Sequence, residues 1–309
     1  MKILIVSPVS MHAVEQLSKN HDVICAFNAP NEEIKDKIVD RDVLVFRSGP
    51  DISAEVMRCA PSLRLLIRAG SGIDNLDLNY VREHEITLRR IEQPGARAVA
   101  ELGFALMLGL ARRIRTADQT LRQGKWAKHE LTGYLLANKT LGIYGCGNIG
   151  SQVGEMGVAW GMQVVGCVEH TSKERTRALA ARGIRLTDVE EVLSVSDFLS
   201  LNLPLSDSTR NLFGKQMLDL MKPSAFLINL ARGGIVDEQA LLTALKGNKI
   251  GGAGLDVHEA EGDGRISPLA DLENVILTPH IGAGTVDTQH QIGEEILEIT
   301  KEFSKSYRS

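Results

Sequence analysis

Residues 139–150 read KTLGIYGCGNIG, and the rest of the chain is organised around them. Leu141-Gly142-Ile143-Tyr144 is a short apolar strand. It runs straight into Gly145-x-Gly147-x-x-Gly150, and the stretch from Ser151 to Trp160 continues as a helix. Strand, tight glycine turn and helix, in that order, make a dinucleotide-binding fingerprint. Gly145 permits the turn, Gly147 admits a pyrophosphate close to the backbone, and Gly150 lets helix and strand pack tightly. The helix start offers free N–H groups and the positive end of its dipole to phosphates.

The remaining 300 or so positions bound what can surround such a loop. The 309 residues are 43% hydrophobic, enough for about two domain cores. The net charge of −4 excludes a basic nucleic-acid face, so an anionic ligand must be held by a few local arginines. Cys25, Cys59, Cys146 and Cys167 are scattered and form no C-x-x-C, which favours reduced thiols and a cytoplasmic setting. Cys146 reads as a small residue fitted into the glycine loop. The first ten residues, MKILIVSPVS, form an apolar strand too short for a secretion signal. No apolar run is expected to reach membrane-spanning length.

Outward from the glycine loop, strands and helices alternate in both directions. Before it, strands are expected over 2–7, 22–26, 43–46 and 65–67, with helices over 11–20, 31–39 and 53–59, the last capped by Ser53. Residues 96–124 read as one long helix introduced by Pro94-Gly95, and a less regular arm follows through Ala137. After the loop, strands are expected over 162–167, 198–203, 225–229, 252–257 and 275–278. Helices fall over 173–182, 189–193, 214–221, 237–245 and 287–304. This alternation predicts an α/β chain with two doubly wound parallel-sheet domains.

Ligands of such sheets sit at the carboxyl ends of strands. Arg47-Ser48 and Gly70-Ser71-Gly72 fall at such ends, and the small residues of the second can present consecutive N–H groups to a carboxylate. Late strands end in Asn229-Leu230-Ala231-Arg232-Gly233-Gly234, in Asp256-Val257-His258-Glu259-Ala260-Glu261 and in Thr278-Pro279-His280-Ile281-Gly282. An arginine can clamp a carboxylate with two prongs. A histidine exchanges protons near neutral pH, and a neighbouring carboxylate orients it and favours its charged form. Composition alone does not choose Glu261 over Glu259, or His280 over His258.

The ordered motifs RAGSGIDNLDL (68–78), AVAELGFALMLGLARRI (98–114), GKW (124–126), KTLGIYGCGNIG (139–150), LNLPLSDSTRNLFG (201–214), INLARGGIVDEQAL (228–241), GAGLDV (252–257) and LTPHIGAGT (277–285) cover nearly the whole chain. Together they resemble the D-isomer-specific 2-hydroxyacid dehydrogenase family, most in the look of its phosphoglycerate dehydrogenase-type branch. The resemblance implies a Rossmann cofactor domain, 96–285, inserted in a discontinuous flavodoxin-like substrate domain, 1–95 and 286–309. It implies a cleft that closes on ligand about hinges near 95–98 and 283–287. Arg232 matches the substrate-orienting arginine, His280 the acid/base and Glu261 its carboxylate partner, chosen as the third residue after LDVH. Asp256 matches the contact to the nicotinamide carboxamide. Further cofactor contacts fall on Gly145, Gly147, Asn148, Ile149, Gly150, Glu169, Pro204, Thr209, Ala231 and Gly282. Substrate contacts fall on Arg47, Ser48, Gly70, Ser71 and Gly72, and Trp126 matches an arm residue that packs on a second subunit. The implied function is hydride transfer between a nicotinamide cofactor and a small 2-keto or D-2-hydroxy acid, with Arg47 meeting a phosphorylated or otherwise doubly anionic one such as 3-phosphoglycerate.

Two departures qualify these expectations. Val168 stands where the ribose-binding acid is usual, with Glu169 next and no arginine at 168–172. NAD is expected, and the direct veto on NADP is missing. Gly262 stands where relatives usually carry proline. No regulatory domain is expected after the last helix. The rival reading is a non-enzymatic NAD(H)-sensing corepressor of the same fold. No metal, nucleic acid or membrane is implied.

Overall fold

The computed structural model describes residues 1–306. The chain separates into two compact units, Met1–Gly95 with Ala283–Ser309, and Ala96–Gly282. The second crossing lies at Gly282–Ala283, three residues before the position expected from sequence.

The first unit is built on five parallel strands: β1 (Lys2–Ile5), β2 (Asp22–Cys25), β3 (Val43–Phe46), β4 (Leu65–Arg68) and β5 (Thr87–Arg90), in the order β2-β1-β3-β4-β5. This is the flavodoxin-like order. β1, β3 and β4 are apolar on both faces because both are covered. Ile3, Ile5, Val43, Val45, Leu65 and Ile67 face one way, onto α1 (Met11–Ser18) and α12 (Val286–Ser306) through Leu17, Ile292 and Ile296. Leu4, Leu44, Phe46 and Leu66 face the other, onto α2 (Asn31–Ile38), α3 (Ala54–Arg58) and α4 (Leu78–Glu83). β5 escapes the sequence reading because TLRR is an edge strand with no apolar run. Ser53 occupies the N-cap of α3 but makes no side-chain cap bond, whereas Asp77 caps α4 from Oδ1 at 3.0 Å to both Asn79 N and Tyr80 N.

The second unit carries seven parallel strands: β6 (Thr140–Tyr144), β7 (Gln163–Cys167), β8 (Ile184–Leu186), β9 (Phe198–Leu201), β10 (Phe226–Asn229), β11 (Gly252–Leu255) and β12 (Val275–Leu277), ordered β12-β11-β10-β9-β6-β7-β8. The reversal at β6, between β7 and β9, is the Rossmann switch point, and the glycine turn sits there. α7 (Asn148–Ala159), α8 (Lys173–Ala181) and α5 (Gln93–Ala111) cover one face, while α9 (Val189–Val195), α10 (Lys215–Asp219) and α11 (Glu238–Lys246) cover the other. The helix expected over 96–124 is two helices. α5 ends at Ala111, Arg113 turns left-handed with φ 52°, and α6 runs Ile114–Arg122. Arg113 is held there by donating to Glu130 O at 2.8 Å. α5 also corrects the expectation on apolar runs: by length and composition it suffices to cross a membrane. Here it is a core helix, with Ala100, Phe104, Leu106, Met107 and Leu110 packed under the sheet.

Candidate active site

The glycine turn gives each glycine a distinct reason. Gly145 has φ 94°, and a Cβ there would meet Asn202 O at 2.5 Å. A Cβ on Gly150 would fall 2.0 Å from Gly145 O, so α7 could not approach β6. Around Gly147, the N-cap of α7, nothing lies within 4 Å. Folding therefore requires the outer two glycines, and the middle one borders open space at a helix start. That geometry fits a pyrophosphate. Asn148 and Ile149 open α7. Pro204 and Thr209 close the turn after β9, where the Thr209 hydroxyl donates to Pro204 O at 2.7 Å and accepts Ser206 N at 2.8 Å. Glu169 follows β7 and is exposed, 3.9 Å from the ring of His170.

At the ends of β10, β11 and β12, two buried polar residues build the turns. Asn229 Oδ1 accepts Ala231 N at 3.1 Å, and its Nδ2 donates to Arg232 O at 3.1 Å, fixing the turn that carries Arg232. Arg232 is half-buried and donates from Nη1 to Ala231 O at 2.7 Å. Asp256 is 2% exposed. Its carboxylate accepts the Thr278 hydroxyl at 2.6 Å, Ile281 N at 2.9 Å and Gly282 N at 2.8 Å. These bonds wrap residues 278–282 around one carboxylate and hold His280 at φ 54°, a left-handed conformation uncommon for a non-glycine residue.

His280 Nδ1 lies 2.9 Å from Glu261 Oε2. A carboxylate accepts, so Nδ1 carries the hydrogen and Nε2 becomes the working nitrogen. Among the described residues Nε2 has no hydrogen-bond partner. Burial acts to raise the Glu261 carboxyl, but the hydrogen bond from His280, its charge and the backbone N–H of His258 outweigh it. The net direction is downward, so Glu261 stays ionised. Glu259 is committed elsewhere. Its carboxylate accepts Glu238 N at 3.0 Å, and Glu238 returns the bond by accepting Glu259 N at 2.9 Å. The ring of His258 is likewise engaged, with Nε2 at 2.9 Å from Thr278 O.

In the first unit, Gly70-Ser71-Gly72 follows β4. Two arginines take its carbonyls: Arg68 donates to Gly72 O at 2.6 Å and Arg90 to Ser71 O. The N–H groups of Ser71 and Gly72 have no acceptor among the described residues, which leaves an anion nest open. Arg68 is 3% exposed and lies 5.7 Å from the centre of the Phe46 ring. Arg47 follows β3 and is half-buried, and burial pulls its guanidinium below the ordinary value. No carboxylate pairs with that guanidinium among the described residues. Ser48 is exposed beside it. The supporting roles of Asn229 and Arg68 escape sequence reading, because a polar residue closing an apolar strand looks like any strand end.

Residues 104–282 match the model of the D-isomer specific 2-hydroxyacid dehydrogenase, NAD binding domain. The chain belongs to this family. It is 38% identical over 301 residues to a D-3-phosphoglycerate dehydrogenase of Methanocaldococcus jannaschii, covering 97% of this chain and 57% of that one. A hydroxypyruvate reductase of Thermotoga maritima is 34% identical over 294 residues, covering 94% of each chain. Among solved structures, D-lactate dehydrogenase from Aquifex aeolicus, complexed with NAD and lactic acid, superposes with a TM-score of 0.88 at 27% identity, covering 98% of this chain and 96% of that one. The chain thus spans about half the length of the phosphoglycerate dehydrogenases it matches, and nearly all of the shorter reductase. In this member of the family, the arginine, acid and histidine turns all stand on the unit that the NAD-binding-domain match covers.

Proposed function

We propose that the protein is an NAD-linked oxidoreductase that interconverts a small 2-keto acid and its D-2-hydroxy acid. The observation that carries this reading is the 2.9 Å contact between His280 Nδ1 and Glu261 Oε2, which leaves Nε2 as a proton donor or acceptor on the NAD-binding unit. The glycine turn accommodates the cofactor, which when bound supplies or accepts the hydride. Arg232 pairs with the substrate carboxylate, and on the first unit the open N–H groups of Ser71 and Gly72 are suited to an anionic group of the substrate. In reduction, His280 Nε2 gives its proton to the oxygen of the carbonyl as negative charge develops there, and Arg232 stabilises that charge. In oxidation, neutral His280 takes the hydroxyl proton. Arg47 and Ser48 serve a second anionic group, which favours a phosphorylated substrate such as 3-phosphoglycerate. NAD is the cofactor of this reading, with Glu169 toward the ribose and NADPH as the comparison that Val168 makes necessary.

The four cysteines are unbridged, which supports a cytoplasmic setting. The second unit leaves Trp126 80% and Leu135 72% exposed, which supports a homodimer through the arm.

Loss of nicotinamide absorbance, followed with NADH and separately with NADPH over glyoxylate, pyruvate, hydroxypyruvate and phosphorylated 2-keto acids, tests the reading. His280→Ala and Arg232→Ala are each expected to lower kcat/KM by about 10²-fold or more. Turnover that survives His280→Ala undiminished overturns the assignment.

A further inference from the structure

We infer that His258 is a positioning residue that fixes the distance between Glu261 and His280. The inference rests on the reading of that pair as the proton-transfer site, and the geometry behind it is independent of turnover. Three segments meet on this one residue. The backbone N–H of His258 donates to Glu261 Oε1 at 3.2 Å. Its ring Nε2 lies 2.9 Å from Thr278 O, and the same carbonyl accepts the backbone N–H of His280 at 3.1 Å. Its own carbonyl oxygen lies against Gly233, where a Cβ would fall 1.8 Å away, directly beside Arg232. The turns after β10, β11 and β12 are thereby joined at a single position.

The ring bond is the part that a side chain supplies. A carbonyl can only accept, so Nε2 carries the hydrogen and Nδ1 presents a bare lone pair. That Nδ1 is buried and has no hydrogen-bond partner among the described residues. The imidazole is thus spent on one contact, a donor to Thr278 O, and cannot itself serve the substrate. Its bond ties the turn that holds Glu261 to the turn that holds His280. The first of these turns contains Gly262 at φ 116° and has a largely exposed neighbour in Ile266, at 87%. Among the described residues the Glu261 carboxylate makes one other hydrogen bond, to His280 itself. Proton transfer depends on placement to within about 1 Å, where an error of that size costs about 10²-fold.

The test compares three substitutions in the full chain. His258→Phe keeps the bulk and both backbone contacts and removes only the ring donor. His258→Gln offers an amide N–H near the place of Nε2. His258→Asn offers one nearer the place of Nδ1. His258→Phe is expected to lower kcat by about tenfold with the KM for NADH unchanged. His258→Gln is expected to recover to within about threefold of the parent, and His258→Asn is not. A general loss of packing would affect all three alike and would appear in Tm. Crystal structures of the variants provide a readout without turnover. In His258→Phe the contact between His280 Nδ1 and Glu261 Oε2 should open beyond hydrogen-bond distance, and in His258→Gln it should persist. A His258→Phe protein with kcat within about twofold of the parent, or with the contact intact, overturns the inference. So does a Gln variant no better than Phe. If no 2-keto acid is turned over by the parent, the proposed reaction fails, and the crystallographic distances alone decide the role of His258.

Discussion

At the residue scale, the Glu261 carboxylate is the group whose charge state can be reasoned through. Its pKa is lowered in the folded protein because the hydrogen bond and charge of His280 and the backbone N–H of His258 outweigh burial. A carboxyl lowered on folding contributes stability above its unfolded value, and that contribution is lost as pH falls through the folded value. The parent should therefore lose part of its resistance to urea as pH drops below the ordinary carboxylate range. Glu261→Gln should lack that part of the acid sensitivity. Urea midpoints at neutral and acid pH, compared between the two proteins, read the difference. A parallel response in both would mean that the pair adds nothing to folding. The same substitution should lower kcat/KM by about 10²-fold, because an amide holds the ring without favouring its charged form. The buried cysteines behave in the opposite sense. Burial pushes the Cys146 thiol up to about 11 and that of Cys167 to about 12. Neither is a thiolate at pH 8, so iodoacetamide should leave both unmodified while it alkylates exposed Cys25. Mass spectrometry of the labelled peptides checks this, and rapid modification of Cys146 would show that the glycine turn opens in solution.

At the element scale, the strand–glycine–helix turn separates what folding needs from what a ligand needs. Gly150→Ala places a Cβ 2.0 Å from Gly145 O, so it should cost several kcal/mol or prevent folding. Gly147→Ala meets nothing within 4 Å and should leave Tm nearly unchanged. It should still weaken NADH binding about tenfold or more, because the new methyl occupies the approach of the pyrophosphate. NADH fluorescence titration beside a thermal melt resolves the two effects, and unaltered NADH affinity in Gly147→Ala would remove the cofactor from this turn. The same element explains what was legible in the sequence. β1, β3, β4, β6, β9 and β10 are short apolar runs closed by polar residues, and fully buried parallel strands read that way. β5 and β8 were not legible because their exposed edges carry Arg89, Arg90 and Arg185 in place of an apolar pattern. The break between α5 and α6 was hidden for another reason. Arg112-Arg113 has no glycine or proline to announce a stop, and the left-handed turn is stabilised by a bond to Glu130, seventeen positions away. At the site, chemistry placed an arginine, acids and histidines at neighbouring strand ends, and only the family resemblance singled out Arg232, Glu261 and His280 among them. Asn229, Asp256 as a loop anchor and the ring of His258 became visible only once hydrogen bonds across neighbouring strand ends were known.

At the scale of the whole molecule, the arm of the second unit carries apolar surface that folding of one chain leaves uncovered. No residue of α6 is buried, although its apolar and polar residues segregate strongly to opposite faces. Ile114 and Leu121 on that helix are 53% and 58% exposed, and Trp126, Tyr134 and Leu135 follow in the arm. Scattered apolar residues on a surface need no explanation, but five within 22 positions, two of them aromatic, are what interface cores are made of. A second copy of the chain is the partner that a two-fold arrangement would supply, each arm covering its mate. Sedimentation velocity at about 10 μM, a concentration well above the Kd expected for an interface of about 800 Å² per partner, should give a species of twice the 33.7 kDa chain mass. Trp126→Glu combined with Leu135→Glu places two charges in the core of that surface and should give monomers. Each substitution replaces an exposed side chain, so the monomer should keep its secondary structure and its NADH affinity. A parent that sediments as a 33.7 kDa monomer would rule out pairing through the arm. A doubly substituted protein that remains a dimer would move the interface to another face. If the monomer binds NADH normally yet turns over 2-keto acids more slowly, pairing contributes to the reaction by steadying the unit that carries His280, and the arm becomes part of the enzyme's working structure.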